Sequence, residues 1–159
     1  MVLNRQNRIA VAVAPLADFL ERVRRELRFP ENSVTVQLMS DSAMARLNRT
    51  FRGQRGPTDV LSFPANGVRT RGQGPQSPRE KPRRGRAPQG GEPYVGDIAI
   101  APGTARRNAR LYSRSLPEEL RVLLLHGMIH LAGYDHETDR GRMERIERRL
   151  RRRFGLNRP

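Results

Sequence analysis

Every histidine of this 159-residue chain lies in one stretch of eleven: His126-Gly-Met-Ile-His130-Leu-Ala-Gly133-Tyr-Asp-His136. His126 and His130 are four apart inside an apolar run, Val122-Leu-Leu-Leu125 and Met128-Ile129, that reads as a buried helix. At 3.6 residues per turn they project from nearly one face, with Cβ atoms roughly 5–6 Å apart. Two neutral imidazoles so placed can share a metal ion at Zn–N distances of about 2.0–2.1 Å. Gly133 suits the left-handed conformation that ends a helix, so the chain can turn and bring His136 back as a third ligand. Three protein ligands leave a coordination position open, the layout of a catalytic rather than a structural zinc. A pair of ordinary core histidines is the competing reading. The third histidine and the glycine at this spacing weigh against it.

The spacing H-x-x-x-H-x-x-G-x-x-H matches the metzincin pattern except after the first histidine, where the general-base glutamate is replaced by Gly127. That one change argues against a standard metalloprotease. The run from His126-Gly127 to His130-Leu131, followed by Gly133-Tyr134-Asp135-His136, resembles the signature of the YbeY family. These are bacterial single-strand-specific metallo-endoribonucleases involved in ribosomal RNA maturation. Two further stretches resemble the same family. One is Leu47-Asn48, Phe51-Arg52-Gly53 and Pro57-Thr58-Asp59-Val60-Leu61-Ser62-Phe63-Pro64; the other, weaker alone, is Gly96-Asp97-Ile98. The resemblance implies that Arg52 is the family's functional arginine. A guanidinium fork suits a phosphodiester and its extra transition-state charge, although an arginine at a helix C-terminus is also favoured by the macrodipole.

A chain this long supports one domain with a moderate core. It has no cysteine, which agrees with a reducing compartment, and no apolar run near the roughly 20 residues that cross a bilayer. Neither does Ile9-Ala-Val-Ala-Val13 make a signal peptide, so the expected location is cytoplasmic, away from membranes. Lysine and arginine outnumber acids by 31 to 16, a net charge of +15, which points to a polyanionic partner. Lys81 is the only lysine, so a GC-rich genome accounts for arginine over lysine but less readily for the excess of base over acid.

Along the chain, Ile9–Val13 is expected to be a first strand. Pro15 opens a helix with Leu16, Phe19, Leu20, Val23 and Leu27 on one face, while Arg22, Arg24, Arg25 and Arg28 lie mostly on solvated sides. Val34–Leu38 alternates as a half-buried strand, and Asp41 or Ser42 caps a helix carrying Met44, Leu47 and Phe51. A turn leads to a strand stopped by Pro64, where Thr58 and Asp59 can order the loop or serve as turn residues. Residues 65–93 are rich in Gly, Pro, Gln and Arg, carry seven basic residues against two acids, and are expected to form a flexible basic insertion. A strand resumes over Tyr94–Ile100, with Asp97 as a metal-site helper or a loop anchor. A helix over Thr104–Tyr112 follows, and Ser115-Leu-Pro-Glu118 reads as a capping box opening the histidine helix. Thr138 or Asp139 starts a last helix with Met143, Ile146 and Leu150, in which Glu144 and Arg148 form an i,i+4 pair.

The expected architecture is a single α+β domain over 1–159, a small mixed β-sheet packed with helices and a zincin-like metal helix. The expected activity, carried by the resemblance, is hydrolysis of single-stranded RNA in rRNA maturation and ribosome quality control. His126, His130 and His136 hold one zinc per chain, Arg52 meets the scissile phosphate, and Asp135 is either a proton acceptor or an orienting group for a ligand histidine. Expected partners are ribosomal RNA or its precursor and the small ribosomal subunit. Two other classes compete: an RNA-binding ribosome-assembly factor with a structural zinc, and a metallohydrolase of another substrate. The open coordination position disfavours the first, and the missing glutamate disfavours a peptidase.

Overall fold

The computed structural model describes residues 1–65, 94–134 and 141–156. Within them the chain runs β1 (Val2–Asn4), α1 (Val13–Glu26), β2 (Val34–Leu38), α2 (Asp41–Arg52), β3 (Val60–Pro64), β4 (Gly96–Ile100), α3 (Pro102–Leu111), α4 (Leu116–Leu131) and α5 (Arg142–Arg153). The strands make one sheet in the order β1-β2-β4-β3, parallel except for the antiparallel β3–β4 pair. This is the mixed sheet of an α+β domain. No described helix is long and apolar enough to cross a membrane.

The two sheet faces are covered differently. Val34, Val36, Leu38, Ile98 and Ile100 join Leu16, Phe19, Leu20 and Val23 of α1 and the apolar face of α4 in the main core. On the other face, Leu61 and Ala99 pack with Met44 of α2 in a smaller cluster. β4 is thus buried on both sides at its C-terminal end. The strand pleat puts Ser62 against α4, with its Oγ on the Gly127 carbonyl at 3.3 Å, and Phe63 on the opposite face.

Several sequence expectations need correction. The first strand is Val2–Asn4, not Ile9–Val13, because the main-chain partner of β2 comes from the extreme N-terminus: Val2 to Asn4 pair with Val36 to Leu38, and the Met1 ammonium donates to Val34 O at 2.8 Å. The Gln6 side chain instead bends the chain near Ile9, accepting from the Arg8 and Ile9 N–H groups. Arg24 is buried rather than solvated, with Nε on Glu21 and Nη1 on Phe29 O. The cap of α2 is Ser40, one residue before the expected pair, and accepts from Ala43 N. Asp41 is thereby released to bind the N-terminus of α3 through Thr104 N and Oγ1 and the Arg107 guanidinium. α3 starts at Pro102 rather than at Thr104. The start of the last helix at Thr138 or Asp139 and nearly all of the 65–93 insertion lie outside the described residues; α5 is described from Arg142.

Candidate functional site

α4 begins with the expected capping box, Ser115 Oγ accepting from Glu118 N while the Glu118 carboxylate accepts from Ser115 N. Two reciprocal bonds at the first turn fix where the helix starts, and so which of its later residues face the sheet. Gly127 lies against β3 and β4: a Cβ there would meet Ile98 Cγ2 at 3.0 Å and Ser62 Oγ at 3.1 Å. The residue after His126 is therefore a point of close helix–sheet approach. A side chain at that position would start against the sheet, and Ile98 and Ser62 would have to give way by a few tenths of an ångström.

His126 and His130 emerge beside this contact with their rings 4.6 Å apart and their Nε2 atoms at 3.0 Å. His126 Nδ1 faces Glu147 Oε2 at 3.2 Å, and His130 Nδ1 faces Tyr134 O at 3.1 Å. A carbonyl and an ionised carboxylate only accept, so each of these contacts requires a proton on Nδ1. When both rings are neutral, both Nε2 lone pairs then point at one place. Two lone pairs at that separation repel unless a cation, either a proton or a metal ion, is shared between them. Two zinc–nitrogen bonds of ~2.1 Å at a tetrahedral angle would set the nitrogens ~3.4 Å apart. The donor set fits a metal.

Glu147 is ionised for the same local reasons. Burial raises its carboxyl pKa, but the hydrogen bond of His126, that ring's charge when protonated without a metal, and the charge and hydrogen bond of Arg151 outweigh it and hold the group at about 2. Arg151 binds the other carboxylate oxygen. In the sequence Glu147 is only one of two acids in a basic helix. In the structure it is the carboxylate that fixes His126. Its place four residues before Arg151 and four after Met143, on the apolar side of α5, is the one signal in the sequence that singles it out from Glu144.

Of the other expected site residues, His136 and Asp135 lie outside the described residues, and among the described ones the histidine pair has no third His, Cys, Asp or Glu to complete a metal cluster. Gly133 has φ +88°, the left-handed conformation expected of it. Arg52 is the last residue of α2, exposed, with no hydrogen bond or ion pair among the described residues, and none joins it to the histidines. The loop after it is tied down. Buried Asn48 donates to Gly56 O, and Asp59 accepts from Val60 N, Thr58 Oγ1 and Asn108 Nδ2. Asp97 is a loop anchor, accepting from Tyr94 OH at 2.9 Å on the sheet face away from α4.

The architecture is that of a small α+β domain whose buried helix presents two histidines past a close glycine contact, with a carboxylate behind one of them. The family model described as Endoribonuclease YbeY matches residues 2–155, and the chain belongs to that family. The Endoribonuclease YbeY of Koribacter versatilis is 37% identical over 151 residues, 95% of this chain and 83% of that protein. Those of Solibacter usitatus and Moorella thermoacetica are 39% and 43% identical over 75% and 70% of this chain. The matched region spans 64% of each of these two relatives. A solution structure from Thermotoga maritima superposes with a TM-score of 0.58 at 26% identity, covering 98% of this chain and 90% of that one.

Proposed function

We propose that the protein is a zinc-dependent endoribonuclease that cuts single-stranded RNA, acting in the cytoplasm on ribosomal RNA or its precursor. The observation that carries the proposal is the pair of Nε2 atoms at 3.0 Å whose Nδ1 sides are both committed to acceptors. His126 and His130 would hold the ion, with His136 as the third ligand. A divalent ion bound there supplies Lewis acidity, lowering the pKa of water and polarising a phosphate oxygen. Glu147 keeps His126 in the tautomer that leaves Nε2 free to bind. Arg52, an exposed cation outside any described ion pair, meets the phosphodiester. Gly127 cannot accept a proton, so that task falls to another group, for which Asp135, next to His136 in the sequence, is the candidate.

The family membership supports the substrate class, and the charge of +15 supports a polyanion. The deciding experiment couples metal analysis to cleavage assays on single-stranded RNA, duplex RNA and peptides, before and after chelation. The expected outcome is about one zinc per chain, cleavage of single strands alone, and its loss on chelation. Full zinc in a His126→Ala, His130→Ala double variant would place the metal elsewhere. Chelation-resistant cleavage would remove the ion from the reaction, and RNA binding with no cleavage would leave the assembly-factor reading in its place.

A further inference from the structure

Among the described residues, the face of the sheet opposite α4 is only partly covered. α2 covers part of it, Met44 packing on Leu61 of β3 and Ala99 of β4; beside them lies a groove of about 280 Å³ lined by Gln37, Met39, Leu47, Phe51, Phe63 and Asp97. Ligand pockets begin at about this size, ~300 Å³. Phe51 was expected to continue the apolar face of α2, yet it is 53% exposed. Its ring meets Phe63 edge to face, centroids 4.9 Å apart, and the rest of it borders the groove. Gln37 and Asp97 bring an amide and a carboxylate to the same floor. Asp97 gives one oxygen to Tyr94, and a carboxylate has acceptor sites to spare.

We propose that this groove is a nucleobase subsite: one base of a single-stranded RNA stacks on Phe51, with its polar edge towards Asp97 and Gln37. The inference rests on the RNA reading above and adds where a base is held. Aromatic rings beside cationic side chains form the usual platform for single strands, because every base has a π-face and each carries a phosphate. Here Phe51 supplies the ring, and arginines on other sides of α2 and in the turn after it supply the charge. Arg46, Arg49, Arg52 and Arg55, on α2 and the turn after it, are all exposed and in no ion pair among the described residues. An apolar peptide would gain nothing from those four cations, and a second copy of a +15 chain would be repelled by them. β3 is an edge strand, Ser62 touches α4 at Gly127, and its neighbour Phe63 faces the groove. The groove and the histidine helix thus lie on opposite faces of the sheet at its β3 edge, which a single strand would have to round to reach both.

The test uses the full-length, metal-loaded protein and two 2′-O-methyl single-stranded oligonucleotides of equal length, one bearing bases and one abasic, checked intact after titration. The base-bearing strand should bind about tenfold more tightly, within the range that base–aromatic stacking supplies. Phe51→Ala should reduce that ratio to near one with the abasic affinity unchanged. The chain has no tryptophan, so Phe51→Trp reports directly: it should keep the ratio, and its fluorescence should be quenched by the base-bearing strand and not by the abasic one. Equal affinity for both strands, together with unquenched indole emission from the Phe51→Trp protein, overturns the subsite, even if Phe51→Ala fails to fold. RNA cleaved without this base dependence sinks the subsite alone. Base-dependent binding without cleavage sinks the nuclease reading and leaves the subsite standing.

Discussion

At His126 the chemistry depends on a residue 21 positions away. Glu147 fixes the Nδ1 proton, so Glu147→Gln, which keeps the volume and removes the charge, should weaken zinc binding by about 10–100-fold in a chelator competition, with the fold intact. The carboxyl has a second signature. Its folded pKa, about 2, lies below the unfolded value of ~4.3, so its stabilisation is present above the unfolded pKa and lost as pH falls towards 2. Acid unfolding of the metal-free protein should therefore be shallower in Glu147→Gln across that window; identical acid curves would show that the pair contributes nothing. Arg52 makes a different prediction. If it meets charge developing on the scissile phosphate, Arg52→Ala keeps zinc and most RNA affinity but loses roughly 10²–10³-fold in single-turnover cleavage at saturating enzyme, by analogy with deleting one oxyanion donor. Arg52→Lys recovers only part, lacking the planar fork. Wild-type cleavage at saturation would make Arg52 a binding residue. The approach of His126 and His130 was legible in the sequence because both sit on one helix, where spacing fixes geometry. Glu147 was not, because its partner lies on another helix. Gly127 was legible as a departure from the metzincin pattern, but its close approach to Ser62 and Ile98 joins residues far apart in the chain.

Among the elements, strong local signals placed two features where expected, while a pairing partner far along the chain moved the first strand and the α2 cap fell one residue early, on Ser40. The capping box of α4 and the alternation of β2 are local, and both appear where expected. β1 is chosen by its pairing with β2, which the apolar content of Ile9–Val13 cannot reveal. β3 and β4 pair antiparallel, Pro64 beside Gly96, and Ala65 N donates to Val95 O at 3.0 Å. The two ends of the basic insertion are thus held together by the sheet itself. Deleting residues 68–91 leaves 66, 67, 92 and 93 as a connection, a length that hairpins commonly use (about 2–5 residues). The deletion removes seven basic residues and Glu80, a net loss of +7 − 1 = +6. We expect the shortened protein to stay soluble, keep its zinc and unfold cooperatively, while RNA binding weakens mainly at low salt, where screening of that charge is least. Insoluble or unfolded protein would make 68–91 an integral part of the domain.

For the whole molecule, the sum of charges was readable from the sequence but not its distribution. Ion pairing sorts the arginines into two groups. Arg24, Arg107, Arg114, Arg148, Arg151 and Arg153 are each engaged by a carboxylate. Arg46, Arg49, Arg52 and Arg55 are not, among the described residues, and neither are Arg22, Arg25, Arg28, Arg106, Arg110, Arg149 and Arg152; the first four share α2 and its following turn with Phe51. If a single strand follows that surface, each phosphate neutralised there releases counterions, and the logarithm of the binding constant falls against log salt with a slope of ~0.7 per contact. Replacing Arg49 and Arg55 together by alanine should then lower the slope by about 1.4, while cleavage at saturating enzyme changes little. Arg148 is the control: it is exposed, but Glu144 holds it at 2.8 Å, so Arg148→Ala should leave the slope within error of the parent. The measurement is equilibrium binding of one single-stranded RNA across a salt series for the three proteins. Equal slope changes per arginine removed in both variants would mean that the charge acts as a diffuse field, without a defined path for the strand.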